Sequence, residues 1–153
     1  MLRGGCPCSA VRYALTRRPM TVHCCHCTSC KRETGSAFVL NAIIEREAIT
    51  LEQGEIAVTT WPTESGRPHD IHRCAACSGV VWSDYGRRRT MVFLRVCTLD
   101  EPARLPPDVH IFTRSKLPWV TLPPDRPAYE EFYPTMEEVW TSEALARRRA
   151  LGF

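Results

Sequence analysis

Residues His23–Phe38 read HCCHCTSCKRETGSAF, four cysteines within seven residues followed by an abruptly small and polar run. Cys25, Cys27 and Cys30 fall in a CxCxxC spacing, with Cys24 and His26 interleaved. Neighbours in an extended segment point to opposite faces, so Cys25 and Cys27 share a face that Cys24 and His26 do not. Three closely spaced thiolates with no obvious fourth leave one position of a zinc tetrahedron open, the pattern of catalytic rather than structural zinc. Two plainer readings stay open: Cys24 or His26 closes the site as a fourth ligand, or some of these cysteines are buried apolar residues without a metal.

Working outward, the remaining cysteines sort by spacing into CPC at Cys6 and Cys8, CAAC at Cys74 and Cys77, and the singletons Cys24 and Cys97. Two short chelating loops from distant parts of a chain supply the four ligands of a closed tetrahedral zinc and close the long loop between them. Cys6, Cys8, Cys74 and Cys77 are therefore expected to hold a structural zinc, and Cys25, Cys27 and Cys30 a second, catalytic one. Nine cysteines, an odd number, also argue against a complete disulfide framework.

The chain has 153 residues, the size of a single domain, and 1–153 is read as one zinc-binding domain. Apolar residues make up 44% and charged residues 24%, ordinary globular values. The N-terminal MLRGGCPCSAVRYAL lacks an apolar signal-peptide core, and no apolar run is long enough to span a bilayer, so a cytoplasmic protein with no membrane partner is expected. The formal charge of +3 counts every cysteine as neutral; seven thiolates around two Zn²⁺ ions would bring it to zero. Nucleic acid is thus an unlikely partner on charge, and Arg87–Arg89 and Arg147–Arg149 read as a solvated turn and a solvated helix end.

Val11–Leu15, Thr21–Cys25, Phe38–Ile44, Ile56–Trp61, Val80–Tyr85 and Thr90–Cys97 are rich in β-branched and aromatic residues and predict strands, so the class is mainly β. FVLNAII leaves only Asn41 polar, which suits a strand covered on both faces. The Pro-dense segment Pro102–Pro134 predicts extended coil with short strands near His110–Thr113 and Trp119–Leu122. PTMEEVWTSEALARRRALGF predicts a short C-terminal helix, entered through a capping box of Thr135 with Glu138 and broken near Thr141. An uncovered strand edge could pair with a second copy, making a homodimer the assembly to consider.

After Cys30, Lys31 and Arg32 stand where they could attract an anionic substrate, although such residues are more often simply solvated. Gly35, Ser36 and Ala37 are small enough for a ligand to approach the backbone, with Phe38 as a wall or core residue.

GGCPCSAVRY (4–13), CHCTSCKRETGSAF (25–38), CAACSGVVW (74–82), VCTLDEP (96–102) and HIFTRSKLPWVTLPPDRPAYEEF (110–132) occur in the order and spacing of a known family. Together they resemble the glutathione-dependent formaldehyde-activating (GFA) family, which also includes centromere protein V. The resemblance implies a β-tent fold of short antiparallel sheets, a structural zinc on Cys6, Cys8, Cys74 and Cys77, and a catalytic-type zinc on Cys25, Cys27 and Cys30. It implies a carbon–sulfur lyase activity with glutathione and formaldehyde as partners, the product being S-hydroxymethylglutathione. An incoming thiol would take the open zinc position, with Lys31 or Arg32 on its carboxylates and Gly35 and Ser36 beside it. A zinc-stapled binding module without catalysis is the competing reading. Ser9 and Ser78 stand where the family commonly has Gly, which predicts slightly different turns there. Cys97 likewise replaces a common Gly, and Arg73 an aromatic residue.

Overall fold

The computed structural model describes residues 1–153. Ten strands and two helices follow one another: β1 Leu2–Gly5, β2 Arg12–Leu15, β3 Thr21–Cys25, α1 Thr28–Thr34, β4 Val39–Glu45, β5 Ile49–Gln53, β6 Ile56–Trp61, β7 His69–Cys74, β8 Val80–Tyr85, β9 Met91–Arg95, β10 Val109–Ile111 and α2 Ser142–Ala150. The protein is mainly β with a short C-terminal helix, as its composition of β-branched runs and turn residues implies. No helix is long and apolar enough to cross a membrane.

The chain forms two compact units, each built from two stretches of sequence. The first comprises Met1–Pro19 and Ile43–Arg104. In it β1, β2 and β5 make an antiparallel sheet in that order, and β6, β7, β8 and β9 make an antiparallel run. Tyr13, Leu15, Ile71, Val81, Trp82 and Leu94 are fully buried and form its core. The buried Tyr13 hydroxyl is satisfied by Thr98 Oγ1 at 2.7 Å, as a polar tip in an apolar core requires. Gly4 lies beneath that ring, where a Cβ would sit 2.4 Å from both Tyr13 Oη and the Thr98 carbonyl.

β1, β5 and β7 went unread in the sequence. HDIHRC buries only Ile71 and Cys74, so β7 has no period-two pattern to recognise. LRGG in β1 carries two glycines, residues depleted in strands. The Arg87–Arg89 turn is more than solvated: the Arg88 and Arg89 amides donate to the Asp84 carboxylate at 2.7 and 2.8 Å.

The second unit comprises Met20–Ala42 and Leu105–Phe153. Every residue of β3 is buried. β10 lies beside it in parallel, with His110 opposite Cys24 and Ile111 opposite Cys25, an exception to the antiparallel pairing of the sheets in the first unit. β3 and β10 are far apart in sequence and joined by no hairpin, the connection that antiparallel neighbours favour. Trp119–Leu122 is not a strand: Trp119 is 71% exposed on a turn. The family of prolines around it removes ladder donors.

The C-terminal helix begins at Thr141, whose Oγ1 accepts the Ala144 amide at 3.2 Å. The capping box expected one turn earlier does not form. Thr135 Oγ1 bonds the Glu138 carboxylate directly at 3.2 Å, and only a single 3₁₀ turn, Met136–Glu138, follows. Between these turns Trp140 Nε1 donates to Tyr133 Oη at 2.5 Å, and the Tyr133 hydroxyl meets His23 Nε2 at 3.0 Å. Burial holds the His23 pKa down at about 4, so the ring is neutral. Tyr133→Phe strands two buried groups and should cost about 2–3 kcal/mol, read as a lower urea midpoint with an unchanged slope.

Candidate metal centres

Cysteine and histidine side chains gather in three places: Cys6, Cys8, Cys74 and Cys77; Cys25, Cys27 and Cys30; and Cys24, His26 and His110. In each, the ligand atoms lie within 4.8 Å of one another. All nine cysteines are free thiols.

The four-cysteine cluster belongs to the first unit and joins two similar turns. The Ser9 amide bonds the Cys6 carbonyl at 3.0 Å, and the Ser78 amide bonds the Cys74 carbonyl at 2.9 Å. A tetrahedral zinc with bonds of about 2.3 Å separates its sulfurs by about 3.8 Å. Cys6 and Cys8 are 3.4 Å apart and Cys8 and Cys74 3.9 Å, so the donor set fits a closed metal site. Amides converge on the sulfurs, among them Val11 N on Cys6 Sγ at 3.2 Å. Burial pushes the Cys6 thiol up, but that amide and the hydrogen bonds from Cys8, Cys74 and Cys77 outweigh it and bring the pKa down to about 6. Around Cys77 the Gly79 amide leads in lowering the thiol. Gly79 is needed for a second reason: a Cβ there would lie 2.7 Å from Pro7 Cδ, so the two turns touch only because the side chain is missing.

Ser9 and Ser78 adopt φ of 62° and 60°. The turns are thus the left-handed ones that glycine favours, not altered ones as the sequence suggested, and both serines bear the strain. A left-handed non-glycine residue costs roughly 1–2 kcal/mol, and glycine returns about 0.5–1 kcal/mol of that as unfolded-state entropy. Ser78→Gly and Ser9→Gly should each stabilise the protein by about 0.5–1 kcal/mol. Thermal melts of the single and double variants measure it, and a fall in melting temperature would contradict the strain argument.

The three-cysteine cluster belongs to the second unit. Cys25 ends β3, while Cys27 and Cys30 sit on the start of α1, an element the sequence reading missed. Cys27 is its N-cap, its Sγ accepting the Cys30 amide at 3.2 Å, and Gly35 ends it at φ 67°. Cysteine is not among the usual capping residues, which is why the helix start was not recognised. Sulfur hydrogen bonds from Cys25 and Cys30, helped by the Cys30 and Ser29 amides, pull the Cys27 thiol far below its ordinary value. The bond with Cys27 leads in holding Cys25 up at about 12, and the bonds with Cys25 and then Cys27 raise Cys30 further. No fourth Cys, His, Asp or Glu joins the trio. Cys24 and His26 turn instead toward His110, the separation of faces that alternation predicted.

The neighbouring candidates are distributed along α1 and the loop after it. Lys31 Nζ donates to the Ser115 carbonyl, tying α1 to the turn after β10. Arg32 is exposed. Gly35 has nothing within 4 Å of a would-be Cβ, so its conformational freedom serves the helix end. Ser36 Oγ donates to the Phe38 carbonyl at 2.5 Å, and the exposed Phe38 ring lies 5.6 Å from the His26 ring.

The sequence profile described as "Glutathione-dependent formaldehyde-activating enzyme" matches residues 1–115. The chain belongs to the GFA family. That match contains both all-cysteine clusters and β10 whole. Among solved structures, the crystal structure of a Rhodobacter sphaeroides protein is similar at 17% identity and a TM-score of 0.48, covering 64% of this chain and 87% of that one. No curated protein matches the chain. Family membership and the cysteine clusters together fit metal binding. The GFA profile does not extend to α2 or to the Tyr133–Trp140 segment.

Proposed function

We propose that this GFA-family protein is a cytoplasmic zinc enzyme of the carbon–sulfur lyase type, making and breaking adducts of a small thiol with an aldehyde, glutathione with formaldehyde being the pair the family name indicates. The observation that carries this reading is the cluster of Cys25, Cys27 and Cys30 with no fourth protein ligand. In the proposal Cys6, Cys8, Cys74 and Cys77 hold a structural zinc and Cys25, Cys27 and Cys30 a catalytic one. Zinc at a three-cysteine site supplies a lowered pKa for a bound thiol, or polarisation of an aldehyde oxygen.

The chain's own residues hold and orient. The Cys30 amide and the sulfur bonds lower the Cys27 thiol, which favours the thiolate form that would ligate. Lys31 and Arg32 place two positive charges one and two residues beyond Cys30, suited to the carboxylates of a peptide thiol. Of the two, Arg32 is the more available, because the Lys31 ammonium already serves the Ser115 carbonyl. In the forward direction a sulfur–carbon bond forms and the thiol proton ends on the carbonyl oxygen, giving RS–CH₂OH; the reverse releases both reactants. Nine free cysteines suit a reducing compartment.

The test is the exchange rate between glutathione, formaldehyde and S-hydroxymethylglutathione, followed by NMR with and without zinc-loaded protein. Acceleration in proportion to protein is the expected result. Equal rates at full zinc occupancy would reject catalysis and leave a zinc-stapled binding module.

A further inference from the structure

The proposed chemistry uses neither Cys24 nor His110, yet these two and His26 form the most buried group of ligating side chains in the second unit. Cys24 is 2% exposed, His26 0% and His110 5%. Their convergence follows from strand geometry. His110 of β10 stands directly opposite Cys24 of β3 in the parallel register, and His26 follows Cys24 by two residues, on the same face. The His26 amide continues the pairing by donating to the Ile111 carbonyl at 3.0 Å. Cys24 Sγ is 3.5 Å from His26 Nε2, which is 3.1 Å from His110 Nδ1.

We propose that Cys24, His26 and His110 form a separate, buried His₂Cys site for a soft d¹⁰ cation, with Cu(I) as its occupant. Two of three observations carry the assignment and the other permits it. The first is spacing: three metal bonds of about 2.0–2.3 Å in one plane separate neighbouring nitrogen and sulfur ligands by about 3.5–3.7 Å, a few tenths of an ångström beyond the contacts found here, so small side-chain shifts suffice. The second is hydrogen bonding. His26 Nδ1 and His110 Nε2 are buried without partners. In either tautomer of the empty pair one of them is an unmet N–H and the other an unmet lone pair. A cation at the convergent atoms leaves the same two nitrogens unmet, so it adds no unsatisfied group while using all three inward lone pairs.

Charge is the third observation. One thiolate and two neutral imidazoles exactly cancel a monovalent cation, the Cys24 proton leaving to solvent as Cu⁺ binds, with no change of oxidation state. A divalent ion would leave a buried positive charge. Sulfur and imidazole suit copper and zinc alike, and the charge balance favours the monovalent ion. Three ligands also suffice for Cu(I), so no water or fourth side chain is required in this dry position.

The ligand sets of the other two clusters contain only sulfur, and that difference supplies the test. Zinc-loaded protein receives one equivalent of Cu(I) anaerobically, in competition with a colorimetric Cu(I) chelator, and copper-edge X-ray absorption reads the ligands. Copper bound by two imidazole nitrogens and one sulfur, with the bound zinc unchanged, is the expected result. Cys24→Ser and His110→Gln should each weaken retention by more than roughly 100-fold, beyond the loss expected for a mere supporting partner. Copper surrounded by sulfur alone with release of zinc, uptake equal in wild type and both variants, or no retention against the chelator would each overturn the proposal. Uptake of an extra zinc ion in place of copper, lost in His110→Gln, would overturn the assignment to Cu(I).

Discussion

Cys74→Ser is expected to lower the stability of the first unit by on the order of 4 kcal/mol, a fall of about 8–16 °C in melting temperature for a chain of this size. Cys74 is buried, and its sulfur faces Cys8 from a different stretch of sequence. Four such ligands, two near the N-terminus and two at the end of β7 and the turn after it, would tie the β1–β2 region to the β7–β8 region through one ion. A structural zinc contributes roughly 10–16 kcal/mol of binding to folding, and loss of one ligand in four forfeits part of it. Serine keeps the size but not the thiolate, so the substitution isolates ligation from packing. Cys6→Ser should behave alike. Cys97→Ser, at an exposed cysteine outside all three clusters, should stay within about 0.5 kcal/mol of wild type. Melting temperatures equal to wild type for Cys74→Ser would remove the stapling role.

Cys27→Ser should leave the fold standing and remove one zinc of two, with a loss in adduct exchange of more than about 100-fold. The fold survives for a local reason. Cys27 caps α1 through a side-chain acceptor for the Cys30 amide, and serine is a preferred N-cap that can accept the same hydrogen bond. None of the residues of α1 is buried, so little core depends on it. Cys27→Ala removes the cap as well and should cost about 1 kcal/mol more. Metal analysis, melting and exchange rates on one preparation separate these effects. A Cys27→Ser protein that keeps both zincs and full exchange would sink the catalytic assignment.

Much of the candidate chemistry was legible because chelation is local. In CPC, CAAC and CxCxxC the spacing alone brings sulfurs within reach of one ion, whatever the strands around them do. The strands Thr21–Cys25, Ile56–Trp61 and Val80–Tyr85 were equally legible, bounds included, since β-branched and aromatic residues fill them. β7 and α1 were not. One buries too few residues to show a period, and the other is capped by a residue that rarely caps.

The amino-acid sequence by itself determined the class, the family and the composition of the two all-cysteine clusters. The tertiary structure alone decided that Ser9 and Ser78 carry left-handed strain, that β10 runs parallel to β3, and that His110 joins Cys24 and His26. The physical reason is one of range. Ligands on one short loop meet through covalent connectivity, whereas residues as distant in sequence as Cys24 and His110 meet only when strand pairing and register are set, and those follow from burying the whole unit at once.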